Sequence, residues 1–277
     1  SNFLFFSAHG FNKEIDPYYE HTYKISLNGG VPKLLNKGDF NTMTYPSDNH
    51  KFFVNNFSRV DTTPKSNLIN SDGSVIMNLE TADLSALFES GYKFPETFKA
   101  KADDGITDLY GVIYKPFDFD ENKKYPLLEY VYPGPQTESV NKSFSVRMDR
   151  LDRMAQLGFI VITLGNRGGH PDRSKWYHNY GYGNLRDYGL ADKKYVAQQL
   201  ANRHDFIDIN RVGIYGHSGG GFMSTAAILV YPDFFKVAYS QAGNHDNSIY
   251  NSWWSETHHG ILEETDDDGN IKYIYDI

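Results

Sequence analysis

Five consecutive residues, Gly216-His217-Ser218-Gly219-Gly220, fit the pattern G-x-S-x-G, in which a serine hydroxyl is the reacting group. Such a hydroxyl is a weak nucleophile until a base takes its proton and hydrogen-bond donors stabilise the oxyanion that forms on the acyl group. The pattern meets the second need by shape. A sharp turn lifts the Ser218 side chain clear of a sheet, and the N–H of Gly219, aided by the dipole of a following helix, is aimed at the acyl oxygen. A glycine-rich turn with a helix-capping serine would look the same in isolation. A phosphate-binding loop is disfavoured because no Gly-Lys-Ser/Thr follows the glycines. His217 adjoins the serine, but in such turns this position packs beneath the bend and the base comes from a distant loop, so it reads as structural.

The flanking residues tip the balance towards a nucleophile. Val212, Ile214 and Tyr215 form a short apolar run that suits a strand covered on both faces. Phe222, Met223, Ala226, Ala227 and Val230 then recur at helical spacing. The rest of the chain supplies the sheet that this strand needs. Residues 3 to about 80 read as four to six strands (FLFFSA, EHTYKISLNGG, VPKLL, MTYP, HKFFVNNFS, SVIMNLE), separated at hairpin-like spacing by Asn28-Gly29-Gly30, Ser47-Asp48-Asn49 and Ser71-Asp72-Gly73. That amounts to about one β-propeller blade and part of another. Residues 81–91 read as a short helix capped by Thr81 and stopped by Gly91.

Beyond the helix the pattern changes. FKAKA, LYGVIYKP and PLLEYVY precede a helix near residues 145–157, the strand GFIVITL, a helix near residues 188–202, the serine-bearing strand, and FKVAYSQ at residues 235–241. Strands alternating with helices predict a mainly parallel sheet, and an elbow in such a sheet predicts the α/β-hydrolase fold. The expected division is residues 1–80 as the C-terminal part of a propeller and residues 81–277 as an incomplete hydrolase domain.

Composition narrows the function classes. The 277 residues carry a formal net charge of −8 with no basic cluster, which argues against nucleic acid and anionic membrane surfaces as partners. There is no cysteine, hence no disulfide or thiolate metal site, and nothing in the sequence implies a cofactor or metal. No apolar run approaches membrane-spanning length, and residues 3–6 are too short for a signal peptide.

Three separated motifs, LYGVIYKPFDFDENKKYPLLEYVYPGPQ, LGNRGG and YGHSGGGFMS, together resemble the prolyl oligopeptidase family of serine peptidases, in its dipeptidyl peptidase IV branch. The resemblance covers most of residues 95–260, and the preceding β region looks like the end of that family's propeller. It implies that Ser218 is the nucleophile, the Gly219 N–H one oxyanion donor and the Tyr132 phenol the second. A weaker independent case exists for Tyr132: it ends a predicted strand, and Pro133-Gly134 forces a turn at the edge where ligands bind. Tyr250 and Trp254, in SIYNSWWSE, match two aromatic positions lining the family's proline-accepting pocket, where a flat wall suits a pyrrolidine ring. Trp254 stands where mammalian members have tyrosine, which puts strict proline preference in question. By the same resemblance the partners are peptides with proline or a small residue at the cleavage site. The full-length protein would be a homodimer exported to a periplasm or cell surface.

Triads on this fold run serine, acid, histidine along the chain. Only His245, His258 and His259 follow Ser218, and all precede any plausible acid strand. His258-His259 reads as a solvated or interface pair, Asp266 to Asn270 as a charged hairpin turn, and residues 272–277 as the start of a strand. The expectation is therefore a fragment that ends before the family's aspartate and histidine and is itself inactive. The acidic pair that holds a substrate N-terminus would lie in blades outside residues 1–80. An esterase or acylaminoacyl peptidase on the same scaffold, or a non-catalytic binding protein, remains open at this point.

Overall fold

Short aromatic and β-branched runs broken by Asn-Gly and Asp-Gly turns dominate the first 81 residues, and these runs fold as strands. The computed structural model describes residues 2–145, 150–185 and 187–275. It divides the chain into two compact units, residues 1–97 with 141–149, and residues 98–140 with 150–277.

In the first unit, β1 (Phe3–Ala8), β2 (His21–Ser26) and β3 (Lys33–Leu34) form an antiparallel sheet in that order. β4 (Asn41–Pro46), β5 (Phe52–Ser58), β6 (Lys65–Asn70) and β7 (Val75–Thr81) form a four-stranded antiparallel meander. Leu35, Phe53 and Ile69, with Phe5 against them, make a small apolar cluster. Beside it lies a ladder of amides and hydroxyls. Asn36 Nδ2 donates to Thr42 Oγ1 (2.9 Å) and Asn55 Oδ1 (3.0 Å), and Asn55 Nδ2 donates to Asn67 Oδ1 at 3.2 Å. Seven strands form where six runs were read. The missed strand, β6, turns Asn67 inward beside Ile69, so apolar alternation is weak there. The helix after β7 is α1 (Ser85–Glu89), and its expected cap is corrected: Thr81 is the last residue of β7, and Asp83 Oδ1 accepts from Ser85 N at 2.9 Å instead.

The second unit is built on a six-stranded mixed sheet. Its strands are β8 (Glu96–Lys101), β9 (Asp108–Tyr114), β10 (Tyr125–Tyr130), β11 (Ile160–Leu164), β12 (Ile207–His217) and β13 (Phe235–Gln241), in the order β13-β12-β10-β11-β9-β8. β13, β12, β10 and β11 pair in parallel, and β9 joins β11 antiparallel. Parallel strands need crossovers, and helices provide them. The helices are α2 (Arg150–Ala155), α3 (Lys175–His178), α4 (Leu190–Arg203), α5 (Gly219–Val230) and α6 (Ser252–His258). The helix expected over 145–157 is described only from Arg150, since residues 146–149 lie outside the described residues.

α4 buries Val196, Ala197 and Leu200, and α5 buries Met223, Ala226 and Ala227, against Leu127, Ile162, Val212 and Ile214 of the sheet. Burying the larger of these side chains is worth about 1.5–3 kcal/mol each. Val230, expected on the buried face of α5, is 41% exposed at the helix end. β14 (Ile261–Thr265) and β15 (Ile271–Tyr275) close a separate hairpin, with Asp266 to Asn270 as its turn. Asp276 and Ile277 lie outside the described residues. No helix among the described residues is long and apolar enough to cross a membrane.

Candidate active site

β12 runs directly into α5, and the junction residue is Ser218. Its backbone has φ 56° and ψ −118°, a left-handed conformation that non-glycine residues adopt only when their surroundings force it. Two hydrogen bonds hold the bend: Ser218 N donates to Gln241 O of β13 at 2.8 Å, and Ser218 O accepts from Phe222 N at 3.0 Å. Gly216 and Gly220 are required by crowding, because a side-chain carbon at either would fall well inside 3.0 Å of the Val131 carbonyl oxygen. The serine is thus pressed between the ends of β10 and β13. Gly219 is the first residue of α5, so its N–H has no intrahelical acceptor and is available to a ligand.

Tyr132 follows the carboxyl end of β10, where Val131 N donates to Tyr215 O of β12 at 2.9 Å. Tyr250 and Trp254 come from the excursion after β13, and their rings meet edge to face at 5.8 Å and 83°. The structure brings the whole set together. Ser218, Gly219, Tyr132, Tyr250 and Trp254 all line one cavity of about 180 Å³ at the carboxyl edge of the parallel strands, the edge at which open α/β sheets bind ligands.

The cavity also exposes residues to which the motifs assign no part in the site. Pro133, Pro135, Leu185, Tyr188, Phe222 and Met223 give it apolar walls. Gln136, Asn244 and Asn247 add carboxamides, and Asn244 Nδ2 donates to Asn247 Oδ1 at 2.7 Å. Their one sequence signal is position, immediately after the strand beside the elbow. Burial, with the Glu138 carboxylate nearby, pushes the Tyr188 phenol well above its ordinary range, so it stays protonated.

The histidines fall elsewhere. His217 lines an apolar recess on the opposite face of the sheet. His245 stacks on Phe222 with ring centroids 6.2 Å apart. His258 and His259 were expected to be solvated or at an interface. Instead, their rings lie 4.8 and 5.5 Å from Trp254, and His259 is buried. Burial, His178 and His259 lower the His258 pKa, so a neutral imidazole backs the Trp254 wall. Among the described residues, those lining the Ser218 cavity include no histidine and no carboxylate. Among the described residues, no cluster of three or more His, Cys, Asp or Glu is placed to hold a metal.

A charged network supports the site from below. The LGNRGG motif (residues 164–169) is anchored by Arg167, whose Nη2 donates to the fully buried Asp192 Oδ1 at 2.7 Å while its N–H donates to Asp192 Oδ2 at 2.9 Å. Glu138 Oε1 accepts from Tyr177 Oη (2.7 Å) and Asn166 N (3.3 Å). Deeper still, Lys193 Nζ of α4 donates to Leu164 O at 2.5 Å and lies 3.9 Å from Glu129 Oε1 of β10. Neither Glu129 oxygen has a hydrogen-bond partner among the described residues, and burial pushes its carboxyl up to about 7 against the pull of Lys193. Burial likewise lowers the Lys193 ammonium.

Residues 144–277 match the model of the prolyl oligopeptidase family. That stretch belongs to the prolyl oligopeptidase family. The family expected from the three motifs is the one the comparison returns. Among curated relatives, dipeptidyl peptidase 8 of Homo sapiens is 37% identical over 176 residues, covering 63% of this chain and 19% of the relative. A probable dipeptidyl-aminopeptidase B of Aspergillus clavatus is 29% identical over 251 residues, covering 87% of this chain and 26% of the relative. A putative dipeptidyl aminopeptidase of Schizosaccharomyces pombe is 27% identical over 271 residues, covering 94% and 33%. The chain therefore spans between 19% and 33% of the length of these relatives.

Proposed function

We propose that the full-length protein is a serine peptidase that releases N-terminal dipeptides with proline or alanine at the second position, through an acyl-enzyme on Ser218. The observation that carries this reading is the strained Ser218 turn opening on the same small cavity as Tyr132, Gly219, Tyr250 and Trp254. Ser218 Oγ attacks the scissile carbonyl carbon as a base removes its proton. The carbonyl oxygen becomes an oxyanion, stabilised by the Gly219 N–H and the Tyr132 phenol. Collapse expels the amine of the next residue and leaves an ester on Ser218, which water then hydrolyses. The aromatic walls hold the acyl residue.

On this reading residues 1–80, which hold β1–β6 and all of β7 but its last residue, are C-terminal propeller structure, and residues 81–277 are part of an α/β-hydrolase domain. The four-stranded meander β4–β7 is consistent with a blade. Because the described residues that line the cavity include no base, the 277-residue chain alone is expected to be inactive. Loss of the base from a serine triad costs on the order of a million-fold in turnover.

The test is made on the full-length protein. An activated fluorophosphonate should label it, and Ser218→Ala should abolish labelling. Tyr132→Phe should lower kcat for an Xaa-Pro aminoanilide by about a hundredfold or more. A loss under about threefold would remove Tyr132 from the mechanism. Failure of wild type to label would favour a non-catalytic binding protein. Cleavage confined to short acyl esters or N-blocked peptides would favour an esterase or acylaminoacyl peptidase.

A further inference from the structure

The wall facing the nucleophile is not uniformly apolar. Asn244 and Asn247, on the loop after β13, both line the Ser218 cavity and are half-buried. Two carboxamides offer four N–H donors and four acceptor lone pairs in all. Their mutual bond, Asn244 Nδ2 to Asn247 Oδ1, uses one of each, and neither side chain has another hydrogen-bond partner among the described residues. Three donors and three lone pairs remain beside a cavity that Gln136 and the apolar or aromatic Tyr188, Phe222, Met223, Tyr250 and Trp254 also line.

The size of the cavity makes this consequential. Its volume of about 180 Å³ corresponds to about six waters of liquid, so an acyl residue that fills it displaces the water that would otherwise satisfy the amides. A purely hydrocarbon residue such as proline or alanine would leave these groups desolvated and unpaired, a cost that a hydroxyl at the right place removes. Sites built to hydrogen-bond a substrate hydroxyl discriminate against the analogue lacking it, whereas apolar pockets discriminate weakly in the other direction.

We infer that the Asn244–Asn247 amide pair makes this acyl pocket selective for small residues bearing a hydroxyl, 4-hydroxyproline over proline and serine over alanine. The inference rests on the proposed assignment of Ser218 as nucleophile and refines its substrate class. Asn244 and Asn247 are specificity-determining residues that touch the acyl side chain. They take no part in proton transfer.

The experiment compares kcat/KM of the full-length protein for four aminoanilides, Gly-4-hydroxyproline, Gly-Pro, Gly-Ser and Gly-Ala, in wild type, Asn244→Leu and Asn247→Leu. Leucine is close to asparagine in size and removes the hydrogen-bonding groups. Wild type should favour each hydroxylated substrate about tenfold over its partner, the effect of one net hydrogen bond of about 1.4 kcal/mol. The ratio should fall to about one in at least one of the two variants. Fluorophosphonate labelling of Ser218 reports which variants retain the elbow, and the wild-type ratio decides alone if neither does. A wild-type ratio at or below one, or a ratio unchanged in variants that still label, overturns the inference and leaves the nucleophile standing. No labelling and no hydrolysis of any of the four substrates overturns the underlying assignment instead.

Discussion

The two faces of the central sheet are treated in opposite ways. On one face Leu127, Glu129, Val131, Val212 and Ile214 lie beneath α4 and α5, and even the charged Glu129 and Lys193 are enclosed. On the other, Leu128, Tyr130, Gly213, Tyr215, Val237 and Tyr239 line an open apolar recess of about 770 Å³, with Val237 62% and Tyr239 61% exposed. Strand order alone does not produce this difference, since both faces belong to the same strands. α5 leaves the elbow on the side where Gly220 meets the Val131 carbonyl, and α4 packs into the same core. The covered face therefore fixes the elbow, and substitutions there should reach the site, while those on the open face should not.

The largest expected effect is that of Asp192→Ala, which strips Arg167 of its buried partner and should cost about 3–5 kcal/mol in urea unfolding. Ile214→Ala, at a position 1% exposed, should cost about 2–5 kcal/mol by opening a cavity under α5. Lys193→Met sharpens the contrast through pH. Glu129 is raised to about 7 in the fold, so folding binds a proton that the unfolded chain has released, and stability falls as pH rises from the ordinary carboxyl range through about 7. Without Lys193 the carboxyl is raised further, so the penalty of the variant should be about 1 kcal/mol larger at pH 8 than at pH 5. A pH-independent penalty would show that the two groups are not coupled. The smallest effect is expected for Val237→Thr on the open face, under about 0.5 kcal/mol by the same urea measurement. An open-face change as costly as Ile214→Ala would break the contrast.

What was legible in the sequence follows from the same contrast. β12, α5 and β13 were readable because their residues repeat at strand or helix period and glycines mark the bend between them. β6 was not, because Asn67 replaces an apolar residue on its inner face and makes its contact through Asn55. The Thr81 cap failed because β7 carries its pairing with Lys65 through that residue. The five candidate site residues could be named from motifs. Asn244 and Asn247 could not, since two loop asparagines have no period, and only the return of the loop to the elbow gives them a role. The Glu129–Lys193 pair lies between elements about 60 residues apart, and no local pattern announces that the glutamate inside LLEYVY is fully buried.

Everything proposed for the site depends on Ser218 standing on a bend with two donors, the Gly219 N–H and the Tyr132 phenol, trained on the space above it. A crystal structure of the full-length protein phosphonylated at Ser218 tests this most directly. A phosphonyl oxygen should lie about 2.7–3.1 Å from both the Gly219 nitrogen and the Tyr132 phenol oxygen. A phosphonyl oxygen turned away from both, or a Tyr132 phenol beyond hydrogen-bond reach of it, would contradict it.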